Sequence, residues 1–160
     1  MLGQLLETFL TAENKVSVPV TVILDAPWGY AHDAFVNLEG SKTLIATDNP
    51  CGEYWDDLWD LGPTVLVARQ LPPGELLSLI DQAATGKKLR LTPFYSSPLT
   101  RTERKILRLC ATQQNLKRVA ELAQVGSGTL KNYLSAIYSK LELEGLVDLN
   151  LYYFGGKKPK

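Results

Sequence analysis

Cysteine, histidine and long apolar runs are all scarce in this chain of 160 residues, and each scarcity excludes something. The two cysteines, Cys51 and Cys110, fall in separate regions, so no disulfide framework is expected and both read as buried, reduced thiols. No apolar run approaches the roughly 20 residues of a membrane span. The chain does not open with a basic stretch and a long apolar one, as a signal peptide would. The expected location is therefore cytoplasmic, with no membrane partner. The one histidine, His32, stands beside Asp33 without any nucleophile pattern, so acid–base or covalent chemistry has no convergent set. Glu53, Asp56, Asp57 and Asp60 crowd one segment with no ligand of another type, and read as a solvated helix face rather than a metal site. Gly126-Ser127-Gly128 lacks the preceding strand and the Gly-Lys-Ser/Thr ending of a phosphate loop. Neither an enzyme, a small-molecule substrate nor a cofactor is expected.

Net charge is absent too, but only as a sum: 17 basic residues meet 17 acidic ones. Residues 1–97 hold twelve acids and six bases, whereas residues 98–160 hold five acids and eleven bases. An acidic half joined to a basic half is the pattern of a sensor or assembly domain attached to a nucleic-acid reader.

What is present in the acidic half alternates between two periods. Leu2, Leu5, Leu6, Phe9 and Leu10 recur at helical spacing and predict an amphipathic helix over residues 2–13. Val18 to Leu24 is a β-branched run that reads as a buried strand ending at Asp25. A short helix is expected from Ala31 to Leu38, a strand from Thr43 to Thr47, and a helix from Gly52 to Leu61 carrying Trp55 and Trp59. A third strand is expected from Thr64 to Ala68, and a helix from Pro72 or Pro73 to about Ala84, closed by Gly86. The order argues a three-stranded parallel sheet covered by helices. The prolines and serines of residues 87–98 suggest a linker.

The basic half is denser in signals. Thr100-Arg101-Thr102-Glu103 is a capping box opening a helix through Ile106, Leu107 and Cys110. Asn115 is an N-cap for a second helix, and Ser127 or Thr129 is expected to cap a third after the glycine turn. On that third helix Leu130, Leu134, Ile137 and Leu141 form one narrow apolar stripe. The opposite face holds Gly128, Lys131, Asn132, Ser135, Ala136 and Ser139: small, polar, with one cation and no acid. An ordinary solvated face usually carries long charges of both signs; this one suits a helix lying in a major groove. Lys131, Asn132 and Ser135 are the expected base contacts. Lys117, Arg118, Thr129, Tyr133 and Lys140 are the expected phosphate contacts. Residues 143–154 read equally as helix or strand, and Lys157 to Lys160 as a basic tail.

The stretch from Leu99 to Leu141 resembles the helix-turn-helix of the LuxR/FixJ/NarL class of bacterial regulators. Leu99, Thr100, Glu103, Leu107, Ala111, Lys117, Ala120, Thr129, Lys131, Asn132, Leu134, Ile137, Tyr138, Lys140 and Leu141 carry the likeness, while Thr102, Gln113, Gly126 and Tyr133 depart from it. The resemblance implies a fourth helix over residues 143–154.

EYWDDLWDLGPTVLVARQLPPGELLSLI, residues 53–80, resembles the later part of a response-regulator receiver domain. That likeness places Asp25 at the phospho-acceptor position, Thr47 at the Thr/Ser position and Arg69 at the Lys position, with the first strands of a receiver missing. A receiver holds Mg²⁺ between an acidic pair and its acceptor Asp. No acidic pair precedes Asp25 on a strand, and the planar fork of Arg69 has a different reach from lysine. The pocket is expected to be inactive.

The expected organisation is a truncated receiver-like α/β domain over residues 1–88, a linker over 89–98, an all-α helix-turn-helix domain over 99–156 and a tail over 157–160. The expected function is sequence-specific binding of double-stranded operator DNA to regulate transcription, as a homodimer and independently of phosphorylation. The alternative is an interaction protein that pairs with a full-length regulator. Expected dimer surfaces are Leu6, Phe9 and Leu10, covering a strand edge that the truncation opens, together with Trp55 and Trp59.

Overall fold

The computed structural model describes residues 6–8, 18–38, 41–113 and 115–157. It divides into two compact units, one of residues 1–49 and 58–94, the other of residues 50–57 and 95–160.

The first unit is built on a five-stranded sheet in the order β1 (Leu6–Thr8), β2 (Val20–Leu24), β3 (Lys42–Thr47), β4 (Val65–Ala68) and β5 (Leu89–Leu91). β2 to β5 run parallel, with Val22 opposite Leu44 and Ile45 opposite Leu66. Parallel strands need helical crossovers and are buried on both faces, which explains why β4 carries four buried residues in succession. Val20, Val22, Leu44, Val65 and Val67 meet Leu79, Ile80 and Ala83 of α3 (Pro73–Ala84) in one apolar cluster. Burying each of the larger side chains contributes about 1.5–3 kcal/mol, so a charge at Leu79 would break this layer. Pro73 starts α3 because a helix's first N–H needs no partner, and Gly86, at φ +78°, takes the left-handed turn after it. The short helix α1 (Tyr30–Phe35) follows β2.

Three expectations fail in this unit. The first is the strand count: the parallel part of the sheet has four strands rather than three, because β5 adds beside β4, and β1 adds a fifth, antiparallel strand. Leu6–Thr8 is a strand, not part of a helix, and pairs antiparallel with Val20–Val22. The outer edge of β2 is therefore covered within the chain over Val20–Val22. Leu6 lies in that strand; Phe9 and Leu10 lie outside the described residues. The expected linker also holds β5, whose Leu89 pairs opposite Val65. The strands expected from the β-branched runs are all present within two residues of their predicted ends.

The second unit is helical: α4 (Arg101–Thr112), α5 (Leu116–Ala123), α6 (Ser127–Leu141) and α7 (Leu146–Tyr153), with the first part of α2 (Gly52–Asp60). Residues 143–154 thus resolve in favour of helix. No helix among the described residues is long and apolar enough to cross a membrane.

Candidate nucleic-acid interface

Each helix of the second unit starts where local chemistry dictates. The Thr100 hydroxyl accepts the Glu103 N–H at 3.3 Å while the Glu103 carboxylate accepts the Thr100 N–H at 2.7 Å, so the capping box closes in both directions. The Asn115 side chain accepts the Lys117 N–H at 2.9 Å and starts α5. α5 ends at Gln124, a non-glycine residue at φ 58°, and the chain turns into α6. Gly126 is the residue before α6 and no side chain caps that helix. Neither Ser127 nor Thr129 acts as the cap: both already lie inside the first turn.

α6 has the two faces its sequence predicts. Leu130, Leu134, Ile137 and Leu141 are buried against a core that includes Ile106, Leu107, Cys110 and Val119. Lys131, Asn132 and Ser135 are exposed, as are Gly128, Thr129 and Ser139. The Ser135 hydroxyl donates to the Lys131 carbonyl at 3.0 Å, which leaves its oxygen able to accept. The exposed row therefore offers an ammonium, an amide with both donor and acceptor, and a hydroxyl acceptor, without a carboxylate beside them. These are the groups that read base edges in a major groove.

The flanking residues differ among themselves. Lys117 and Thr129 are exposed, Tyr133 half-buried, and Arg118 exposed but paired with Glu121 at 3.2 Å. The Lys140 ammonium, about a third exposed, lies 2.7 and 2.9 Å from the two carboxylate oxygens of Glu103. Burial pushes the Glu103 carboxyl up. The hydrogen bonds from Lys140 and from the Thr100 N–H and hydroxyl outweigh burial and hold it below the ordinary carboxylate value.

The row of acids read as solvated is in fact split. Glu53 and Asp57 are buried, with 0 % and 2 % exposure, and only Asp60 is exposed. At i and i+4 they share one face of α2. Glu53 accepts from the Tyr152 hydroxyl at 2.5 Å, from Ser97 at 2.8 Å and from Tyr95. Asp57 accepts from Tyr153 at 2.7 Å and faces Arg104 and Arg108 at 3.4 Å each. Burial, reinforced by these carboxylates, pushes the hydroxyls of Tyr152 and Tyr153 far above the ordinary tyrosine value. The one signal that could have found this set is the Tyr152-Tyr153 pair, whose hydroxyls need partners when buried. Trp55 is also core, with its ring edge-to-face on Tyr95 at 6.3 Å, and is not a surface for pairing. Trp59, in the first unit, is half-buried with Lys88 6.0 Å from its ring centre. Burial pushes the Cys110 thiol up to about 11 and Cys51 higher still, so both are inert, as expected of buried thiols.

In the first unit, Asp25, Thr47 and Arg69 come together at the carboxyl ends of the parallel strands, lining an open cleft of about 510 Å³. Asp25 is buried. One of its oxygens accepts the Ala31 N–H and the other the Thr47 hydroxyl, both at 2.9 Å. Arg69 is turned to Glu75 in a two-pronged ion pair. The second acid in the cleft, Asp48, accepts from the Trp28 indole at 2.7 Å. Among the described residues no three acids, histidines or cysteines group as metal ligands. The cleft thus shows, among the described residues, two acids, Asp25 and Asp48, each already hydrogen-bonded, and an arginine turned away to Glu75.

Residues 97–153 match the family described as bacterial regulatory proteins, luxR family. The transcriptional regulatory protein DesR of Bacillus subtilis (strain 168) is 30% identical over 115 residues, which cover 68% of this chain and 58% of that protein. The chain thus spans less than two thirds of the length of this curated relative. Among solved structures, a chain from the structure of two RcsB dimers bound to two parallel DNAs is 18% identical, with 79% of this chain and 66% of that chain covered and a TM-score of 0.38. Full-length FixJ from B. japonicum is 16% identical, with 90% and 78% covered and a TM-score of 0.34.

Proposed function

We propose, from the match of residues 97–153 to the luxR family of bacterial regulatory proteins, that this chain is a sequence-specific DNA-binding regulator of transcription. The observation that carries the reading is the exposed row Lys131, Asn132 and Ser135 on α6, set opposite a buried leucine and isoleucine stripe. Lys131 contacts a base acceptor, Asn132 pairs with adenine or through water, and Ser135 contributes an acceptor. Lys117, Arg118, Thr129 and Tyr133 hold phosphates on either side. Lys140, tied to Glu103, supports the fold rather than the DNA.

The protein acts as a homodimer in this reading, because one helix-turn-helix covers a half-site and such readers gain affinity on two-fold related sites. It works without phosphorylation: both oxygens of Asp25 already accept hydrogen bonds, and Arg69 is held by Glu75. Selection of a duplex from random sequence, followed by gel-shift titration of the full chain and its Lys131→Ala and Asn132→Ala variants against salt, tests the DNA reading.

A further inference from the structure

The helix-turn-helix unit is made of two pieces of chain, and the smaller piece is fastened by charge. α7 has 8 residues, too few to be stable alone in water, where isolated helices below about 12–15 residues are marginal. Its Leu149, Tyr152 and Tyr153 are buried. The Tyr152 hydroxyl donates to Glu53 and the Tyr153 hydroxyl to Asp57, both on α2. Buried carboxylates are costly unless they are paired and hydrogen-bonded, so Glu53 and Asp57 tolerate burial only with those tyrosines and arginines in place.

The backbone is matched as closely as the charges. A Cβ on Gly52 would lie 2.1 Å from the Tyr95 ring, so that ring rests directly on the first turn of α2 and only glycine fits beneath it. Tyr54 completes the contact, with its ring 5.1 Å from Tyr153 and 6.4 Å from Phe154. On the other side Asp56 lies 3.1 Å from Arg104, and Asp57 lies between Arg104 and Arg108, all on α4. α4 in turn holds α6 through Glu103 and Lys140.

We propose that Pro50–Asp57 is a positioning segment of the DNA-reading unit. Glu53 and Asp57 fix α7 through Tyr152 and Tyr153 and α4 through Arg104 and Arg108. They thereby set the frame on which α6 presents Lys131 and Asn132. The inference rests on the DNA reading assigned to α6, but it makes its own structural claim. It also assigns Arg104 and Arg108 to the acids of α2 rather than to phosphates.

The test uses the full chain with Glu53→Gln, Asp57→Asn and Tyr152→Phe, and with Asp60→Asn as an exposed acid on the same helix. Tyr152→Phe keeps the ring and removes one hydroxyl, so it remains informative if Glu53→Gln fails to fold. Hydrogen exchange of α4 and α7 amides should be about tenfold or more faster in the first three variants and unchanged in the fourth. Affinity for the selected duplex, measured for those variants whose circular dichroism matches wild type, should fall about threefold to thirtyfold. The salt slope should stay the same, because no phosphate contact is removed. Unchanged exchange in α7, or faster exchange with wild-type affinity, would overturn the proposal. If the wild-type chain bound no DNA, the α6 reading would fall, and the exchange result alone would decide whether the segment positions α4 and α7.

Discussion

Lys140, in the last turn of α6, places its ammonium 2.7 Å from the Glu103 carboxylate that closes the capping box of α4. One carboxylate thus ends the start of one helix and anchors the end of another. The ammonium is about a third exposed, whereas Glu103 is nearly buried. Lys140→Ala should therefore change the salt slope of DNA binding by much less than one contact. Glu103→Ala should cost about 1–3 kcal/mol of stability by removing a cap and stranding two donors. Thermal or urea unfolding of the two variants checks the assignment; a large slope change for Lys140→Ala would return it to the DNA.

Glu103 also sets an acid limit. Its folded carboxyl is held below the ordinary value, so its contribution is fully present above about pH 4.3, the usual glutamate value, and is lost as pH falls through the lower folded value. Urea midpoints of wild type and Glu103→Gln should converge as pH falls through that window. Parallel curves at all pH values would refute the linkage.

The tyrosines give the opposite limb. Burial, with Glu53 and Asp57 alongside, holds the hydroxyls of Tyr152 and Tyr153 protonated far beyond the ordinary tyrosine value of about 10. Their contribution is complete below that pH and declines as pH rises above it, because only the unfolded chain ionises there. Absorbance of tyrosinate should rise for these residues only together with unfolding of α7. Early ionisation without loss of helix would contradict the burial of this pair.

How far these features could be read from the sequence differed from element to element. The stripe Leu130–Leu134–Ile137–Leu141 was legible because a buried helix face obeys its period regardless of context. Thr100 and Asn115 were legible because capping is local. Leu6–Thr8 was not: Leu6 falls at helical spacing with Leu2, Leu5, Phe9 and Leu10 in the sequence, and pairing with Val20–Val22, a tertiary interaction, overrides that preference. Leu89–Leu91 is too short to show alternation and is a strand only because β4 lies beside it. Glu53 and Asp57 misled for another reason. Charge is read as exposure unless its partners are known, and here those partners sit almost a hundred residues away in sequence, at Tyr152 and Tyr153. The cleft residues Asp25 and Thr47 were brought together as the resemblance implied, while Arg69 found Glu75.

That arrangement makes the cleft testable. Acetyl phosphate or beryllofluoride with Mg²⁺ should change neither the oligomeric state nor the DNA affinity of the full chain. Mass spectrometry should find no adduct at Asp25, whose oxygens are taken by Ala31 and Thr47. A Mg²⁺-dependent adduct there would overturn phosphorylation independence.

Sedimentation of the full chain at tens of micromolar should give a dimer, because a single α6 covers only a half-site. β1 pairs with Val20–Val22 and Trp55 is buried, so of the surfaces that the sequence suggested the half-buried Trp59 is the one left open among the described residues. A monomer throughout that range would remove the dimer from the account.

The most direct measurement is affinity for a selected duplex as a function of salt, for the wild type, Lys131→Ala and Asn132→Ala. The wild type should weaken steeply as salt rises, since several of its contacts are to phosphate. Each variant should lose about 1–3 kcal/mol on the selected duplex and much less on unrelated DNA. Selected-site affinity equal to wild type in both variants would contradict the assignment of α6 as the reading helix.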